Sequence, residues 1–179
     1  MAGGRATRLG GRDKAWLQRN GVPQVVRLAE DVGHGCDAIL VSANTHAQRL
    51  AQCALQAVPD RIADAGPLGG IDALAAVCAT PWLFTMPVDV VAADDRLLRM
   101  LMQAGTDGAV AEDDDGLQPL VALYRVDTLR HALASAIAAG DYSVRAMQAG
   151  LGLPRVRFSG VRFGNLNTPD DLRAAGVDP

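Results

Sequence analysis

Aromatic residues and lysine are scarce in this sequence. Only 4% of the 179 residues are Phe, Trp or Tyr, and Lys14 is the single lysine among 17 basic residues. A hydrophobic core must therefore be built from Ala, Leu and Val, which supply most of the 49% apolar fraction. With 21% charged residues and a net charge of −3, the composition excludes a disordered chain and predicts one compact domain over residues 1–179.

Long apolar runs and paired cysteines are also absent. The longest apolar stretch, residues 73–88, is broken by two prolines, and the first residues lack the apolar middle of a signal peptide. We therefore expect a cytoplasmic protein without a membrane anchor. The cysteines form no CxxC pair, which argues against a zinc or redox site, and we expect buried thiols at Cys36, Cys53 and Cys78.

Positive charge is concentrated at the start of the sequence. Residues 1–14 carry three arginines, including Arg8, and Lys14 within a segment that also holds two glycine pairs. Because glycine lets backbone amides approach an anion and Lys14 is a compact point charge, this segment is typical of a phosphate-binding loop. It matches neither a P-loop nor the GxGxxG pattern, and the overall acidity argues against nucleic acid as a partner.

Predicted strands and helices alternate along the rest of the chain. Short apolar runs bounded by Gly, Pro or polar residues predict strands at 38–41, 54–58, 82–86, 108–112, 120–124 and 155–158. Helical spacing predicts helices at 23–32, 46–53, 67–79, 94–103, 126–139 and 143–148, and a last one opened by Thr168 and Pro169. The alternation predicts an α/β domain with a mostly parallel sheet, whose ligands bind at the carboxyl ends of the strands.

Short motifs along the chain resemble those of a known enzyme family. Residues 2–14 read AGGRATRLGGRDK, which closely resembles the signature AGGxxxRMGGxDK of the molybdenum cofactor guanylyltransferases. Further matches follow in order at 42–44 (SAN), Asp60, 66–70 (GPLGG), 87–89 (PVD), 118–119 (QP) and 165–169 (NLNTP). The resemblance therefore covers essentially the whole sequence.

The resemblance implies a three-layer α/β/α Rossmann-like nucleotidyltransferase fold. It implies transfer of GMP from GTP to the terminal phosphate of molybdopterin, with release of pyrophosphate and use of Mg²⁺. The GTP-binding positions implied in this way are Met1, Ala2, Gly3, Gly4, Lys14, Ser42, Asn44, Asp60 and Asp89. The implied catalytic residues are Lys14, Asp89 and Arg8, with Asp89 as the metal ligand, and Asn165 and Asn167 are implied to bind the acceptor.

Residue chemistry independently suits part of this assignment. Asp89 follows the apolar strand WLFTM, and Mg²⁺ in proteins is commonly held by one or two carboxylates together with substrate phosphates and water. An acidic group such as Asp60 suits the N–H donors of guanine or the ribose hydroxyls, although Asp64 lies close enough to compete for that role. The acidic run at residues 113–115 is most simply a solvated turn.

The sequence also departs from the family pattern. Ser42 stands where the family often has Asn, Gln118 replaces a frequent histidine, and Val91 replaces a proline. Relatives begin with a short apolar strand ahead of AGG, whereas here Met1 stands where that strand would end. We therefore expect the first strand of the sheet to be missing, and a start site assigned too late is the preferred explanation over a truncated protein.

Two alternatives remain open from the sequence. One is a transferase of the same fold that uses another nucleotide or acceptor, and the other is a catalytically silent GTP-binding relative. The resemblance implies partners among cofactor-synthesis proteins or molybdoenzyme chaperones in addition to GTP and molybdopterin. We expect a monomer.

Overall fold

The computed structural model describes residues 13–93, 95–164, 166 and 169–177. Its strands are β1 (Gln18–Arg19), β2 (Val22–Pro23), β3 (Leu40–Ser42), β4 (Gln56–Val58), β5 (Trp82–Thr85), β6 (Gly108–Asp113), β7 (Gly116–Arg125) and β8 (Arg155–Arg157). Its α-helices are α1 (Gln24–Gly33), α2 (Ala47–Gln52), α3 (Gly66–Val77), α4 (Asp95–Ala104), α5 (Val126–Ala138), α6 (Val144–Leu151) and α7 (Pro169–Ala174). A 3-10 helix covers Lys14–Trp16.

The larger sheet has the strand order β5-β7-β6-β8. Strand β7 runs antiparallel to both β5 and β6, while β6 and β8 are parallel. A second sheet consists of the parallel pair β3 and β4. The α/β class is thus confirmed, but the sheet is mixed, because the short turn between β6 and β7 forces those two strands into antiparallel pairing.

Helices pack on both faces of the larger sheet, and apolar side chains fill the space between the helices and the strands. Helices α3, α5 and α6 contact one another in series and share a core cluster that includes Leu68, Leu83 and Leu129. On the other face, α1 contacts α4, and a second cluster includes Leu101 and Phe163. Burial of strands between two helical layers is the α/β/α arrangement that the alternation predicts.

Most predicted elements are present with boundaries shifted by a few residues. The hairpin of β1 and β2 was not predicted, although Asn20 and Gly21 carry its signal. Both have positive φ angles, of 54° and 74°, and an Asn-Gly pair with this backbone is the preferred two-residue turn of a hairpin. No helix in the described part of the chain is long and apolar enough to span a membrane.

Two expectations about side-chain burial are wrong. Asp113 is fully buried rather than solvated, whereas Asp114 and Asp115 are exposed. The cysteines are free thiols, but all three are only partly buried. Burial of Asp113 is possible because it accepts hydrogen bonds inside the fold, which a polar run in the sequence does not reveal.

Candidate active site

An ion pair lies at the end of strand β5. The Nζ atom of Lys14 is 2.9 Å from an Oδ atom of Asp89, and the two side chains are 21% and 19% exposed. These residues are 75 positions apart in the sequence. The fold therefore brings together the single lysine and the aspartate that the sequence analysis selected as catalytic residues.

The position of Lys14 is fixed by the 3-10 helix in which it lies. An Oδ atom of Asp13 accepts a hydrogen bond from the amide of Ala15 and caps this helix. Ala15 is buried in a cluster with Val41 of β3 and with Val88, the residue before Asp89. The helix is thus anchored where β3 and β5 end, which is the edge at which α/β folds bind ligands.

Aromatic and cationic contacts hold the same helix from its other side. The Arg49 guanidinium lies 3.9 Å from the centre of the Trp16 ring, and the His46 ring meets Trp16 edge to face. Arg49 lies within α2, and His46 is the residue just before this helix. The contacts thus join the Lys14 segment to the element that follows β3.

The loop after β5 is held by two further contacts. The buried Gln24 amide at the start of α1 donates a 2.7 Å hydrogen bond to the carbonyl of Val90. The amides of Val91 and Ala92 both donate to the carbonyl of Phe163. Asp89 is therefore presented by a loop whose backbone is fixed from two directions.

A second polar cluster follows strand β3. Asp60 accepts hydrogen bonds from the Ser42 hydroxyl at 3.3 Å and from the Asn44 side-chain amide at 2.9 Å, one on each carboxylate oxygen. Asn44 in turn accepts a 2.8 Å bond from the Asp60 backbone amide. Asp64 is exposed and has a positive φ angle of 55°. Asp60, rather than Asp64, is therefore the carboxylate that joins Ser42 and Asn44.

The buried Asp113 anchors the loop that supports this site. Its carboxylate accepts hydrogen bonds from the Gln118 side chain and from the amides of Asp115 and Phe163, each at 2.9 Å. Burial raises the pKa of Asp113, but these bonds and one from the Gly116 amide outweigh it, so that the pKa lies below its ordinary value. Sequence reasoning missed this role and that of Gln24, because each contact spans elements far apart in the chain.

Several predicted site residues lie outside the described residues. These are Met1, Ala2, Gly3, Gly4, Arg8, Asn165 and Asn167. Their assignments stay predictions.

The described residues hold no group of three or more His, Cys, Asp or Glu side chains that could bind a metal ion. At the end of β5, Asp89 supplies a partly exposed carboxylate that pairs with Lys14. Such a donor suits Mg²⁺ bound mainly by substrate phosphates and water, and does not suit a metal held by protein ligands alone.

Comparisons with known proteins agree with this geometry. Residues 1–154 match the family model described as "MobA-like NTP transferase domain". Proteins named molybdenum cofactor guanylyltransferase are 33% identical in Pseudomonas paraeruginosa and 31% identical in Yersinia pseudotuberculosis, each match covering 96% of this chain and 90% of the relative.

A solved structure shares the fold. Molybdopterin-guanine dinucleotide biosynthesis protein A from Archaeoglobus fulgidus matches with a TM-score of 0.73 and 22% identity, over 98% of this chain and 94% of that one.

Proposed function

Because the chain belongs to the MobA-like NTP transferase family and to its molybdenum cofactor guanylyltransferase relatives, we propose that it transfers GMP from GTP to molybdopterin. An oxygen of the terminal molybdopterin phosphate would attack the α-phosphorus of GTP. The bond between the α- and β-phosphates would break, and pyrophosphate would leave. The observation that carries the proposal is the Lys14–Asp89 pair at the end of β5, together with the hydrogen-bonded cluster of Ser42, Asn44 and Asp60 at the end of β3.

Lys14 supplies positive charge for the phosphates. In phosphoryl transfer, catalysis depends mainly on positioning and on neutralising negative charge in the transition state. Lys14 donates a hydrogen bond to Asp89, which holds its ammonium group at the end of β5. Arg8 and the backbone of residues 1–4 would add contacts to the same phosphates.

Asp89 would hold the metal ion. Nucleotidyltransferases of this family generally use a divalent metal, and we propose Mg²⁺, whose hard oxygen ligands Asp89 and the phosphates provide. The ion would neutralise phosphate charge when bound. The fixed loop from Pro87 to Val91 keeps the carboxylate at the end of β5.

The cluster of Ser42, Asn44 and Asp60 would bind the guanosine. A carboxylate accepts hydrogen bonds from the N1 and N2 donors of guanine or from ribose hydroxyls, and hydrogen bonds to a charged group discriminate strongly between ligands. Ser42 and Asn44 each donate to Asp60 and hold its carboxylate in one orientation. We assign the acceptor side to Asn165 and Asn167.

The direct test is pyrophosphate release from GTP and molybdopterin in the presence of Mg²⁺, with CTP in a parallel reaction. We expect release with GTP and little with CTP. Preference for CTP would instead support a transferase for another nucleotide, and GTP binding without any release would support a silent relative.

A matched control separates the site from general charge effects. Arg157 of β8 forms ion pairs with Glu112 of β6 and with Asp114 in the turn that follows β6. Arg157→Ala removes an ion-paired cation outside the site, whose side chain is 49% exposed against 21% for Lys14. We expect GTP turnover to stay within about twofold of the starting chain, because surface pairs contribute little. Loss of turnover in this control would remove the specificity of the Lys14 assignment.

A further inference from the structure

Gln24, the first residue of helix α1, is a polar residue in the core of the protein. It is 6% exposed, and burial of a side-chain amide is unfavourable unless the amide is hydrogen-bonded. Its Nε2 atom donates a 2.7 Å hydrogen bond to the carbonyl of Val90, the residue after Asp89. Val90 is 3% exposed, so that both partners of this bond are shielded from water. The Gln24 side chain therefore holds the loop that presents Asp89.

The backbone of Gln24 contacts the segment that carries the other half of the ion pair. Its amide donates a 2.8 Å hydrogen bond to the carbonyl of Leu17, the residue that caps the 3-10 helix Lys14–Trp16. The amide of Leu17 donates in turn to the carbonyl of Lys14 at 3.3 Å. Gln24 thus joins the segment that holds Lys14 to the loop that holds Asp89.

The β1–β2 hairpin explains why Gln24 reaches both segments. Gln18 pairs with Pro23 across the hairpin, and the bond from Gln24 to Leu17 continues this ladder by one residue. The turn at residues 20–21 therefore returns the chain so that α1 begins directly beside the Lys14 segment. A backbone amide in the first turn of a helix has no partner within that helix, which leaves the Gln24 amide available to Leu17.

Apolar packing fixes the same junction. Val25, the second residue of α1, shares a buried cluster with Ala15 and Val88. These two residues are the direct neighbours of Lys14 and Asp89 in the sequence. Because protein interiors are closely packed and transmit small displacements, the separation of the two charged groups depends on where α1 begins.

We propose that Gln24 is a positioning residue for guanylyl transfer, which uses its two hydrogen bonds to hold the Lys14 segment and the Asp89 loop at the separation that the nucleotide phosphates require. A displacement of about 1 Å at reacting groups can cost on the order of a hundredfold in rate, so that a residue outside the site can control turnover. Since this role rests on the proposed function, its test includes a measurement that needs no turnover.

A second buried glutamine provides a matched control. Gln24→Met keeps the approximate length of the side chain and removes the N–H donor. Gln148 of α6, which lies in the other helical layer, is 5% exposed, and its Nε2 atom donates to the Pro119 carbonyl at 2.7 Å and to the Tyr124 hydroxyl at 2.6 Å. Both of these acceptors belong to β7. Gln148→Met therefore removes an equally buried amide whose bonds hold a different strand.

Pyrophosphate release from GTP and molybdopterin measures the effect on turnover. We expect Gln24→Met to lower kcat about tenfold and to leave the KM for GTP within about twofold, because the nucleoside cluster keeps its own hydrogen bonds. Gln148→Met should keep kcat within about twofold, although both variants should lower the unfolding midpoint, since each leaves buried groups without a partner. An equal loss of kcat in the two variants would overturn the positioning role.

The single lysine provides the measurement that needs no turnover. A chain labelled with ¹³C at the ε carbon of lysine gives one side-chain signal in a ¹H–¹³C spectrum, because Lys14 is the only lysine in the sequence. Asp89→Asn supplies the reference position for a Lys14 side chain without its carboxylate partner. We expect the signal of Gln24→Met to move toward this reference and the signal of Gln148→Met to stay in place. An unmoved signal in Gln24→Met would overturn the positioning role.

A double variant tests whether Gln24 acts through the ion pair. Residues that act through one another have non-additive effects. In the Asp89→Asn background, Gln24→Met should therefore lower kcat much less than the about tenfold expected in the starting chain. An undiminished effect in this background would contradict action through the pair.

Two further outcomes are kept apart from these. If Gln24→Met does not fold, Gln24→Asn takes its place, because it keeps a buried amide but is one methylene too short for the bond to Val90, and the same displacement of the lysine signal is expected. If no form releases pyrophosphate, including the starting chain, the proposed function is wrong. The lysine signal then decides alone: displacement in the Gln24 variant only supports the link between the two segments, and no displacement overturns it.

Discussion

Asp89 and Asp113 both lie at the ends of strands but differ in their exposure and in their hydrogen-bond partners. Asp89 is partly exposed and faces a flexible lysine side chain, whereas Asp113 is fully buried and accepts hydrogen bonds mostly from backbone amides. A lysine can turn toward a new anion without moving the backbone, but the partners of Asp113 cannot leave without distorting two loops. Asp89 is thus suited to bind a ligand, and Asp113 is suited to hold the loop that supports it.

The largest expected effect is on catalysis at Asp89 and Lys14. Asp89→Asn or Lys14→Ala should lower kcat about a hundredfold or more, because each removes charge at the phosphates. The unfolding midpoint should change little, since both side chains are partly exposed. Steady-state kinetics and thermal unfolding measure the two effects.

Near-normal turnover in both variants would contradict the catalytic assignment. A large loss of stability would show that the pair is structural and would remove its contrast with Asp113.

Asp113→Asn should reduce the stability of the fold more than it reduces turnover. The neutral amide weakens the bonds from Phe163 and Asp115 and presents its own N–H groups to these donors. We expect the free energy of unfolding to fall by about 1–3 kcal/mol, as measured by denaturant unfolding. Asp114→Asn, an exposed neighbour, is the matched control and should remain near the stability of the starting chain.

Asp113→Asn also tests how the loop supports the site. Phe163 accepts from Val91 and Ala92, next to the Asp89 loop, so that a positioning role predicts a reduced kcat with an unchanged KM for GTP. A variant that loses stability but keeps kcat would limit Asp113 to folding.

A smaller effect is expected at Asp60. Asp60→Asn keeps the shape of the side chain but removes its charge, and we expect the KM for GTP to rise on the order of tenfold with a smaller change in kcat. Asp64→Asn is the control, because that residue is exposed and outside the cluster. Equal effects of the two variants would leave the nucleoside contact unassigned between them.

The smallest effect is the dependence of stability on pH. Since the pKa of Asp113 is lowered in the folded chain, its contribution is fully present above the unfolded value of about 3.9. It is lost as the pH falls through the lower folded pKa. Denaturant unfolding from pH 6 down to pH 2 should show a steeper loss for the starting chain than for Asp113→Asn, and parallel curves would contradict this.

The motifs predicted the family and the type of fold, and the comparisons confirm both. The sequence also predicted strands at β5 and β6 and helices such as α5 within a few residues, because apolar periodicity is a local signal. It did not predict the hairpin at Asn20, although the Asn-Gly pair is a local turn signal. Nor did it predict the burial of Asp113, which depends on a hydrogen bond from Phe163, fifty residues away.

The site shows the same division between local and distant information. Residue type and spacing pointed to Lys14 and Asp89. The sequence does not reveal that the Lys14 Nζ atom lies 2.9 Å from an Asp89 Oδ atom in the fold. The choice between Asp60 and Asp64 stayed open in the sequence, because both follow the same strand. Their contacts differ in the fold, where only Asp60 meets Ser42 and Asn44.

The sequence by itself determined the chemistry available to this protein: a single lysine within a glycine-rich segment and aspartates placed after apolar strands. Tertiary structure decided which of these groups meet, which aspartate is buried, and which of the described strands pair with one another. The physical reason is that residue type and periodicity determine only local structure, over a few neighbouring residues. Ion pairing, burial and strand pairing depend instead on distances that only the folded backbone sets.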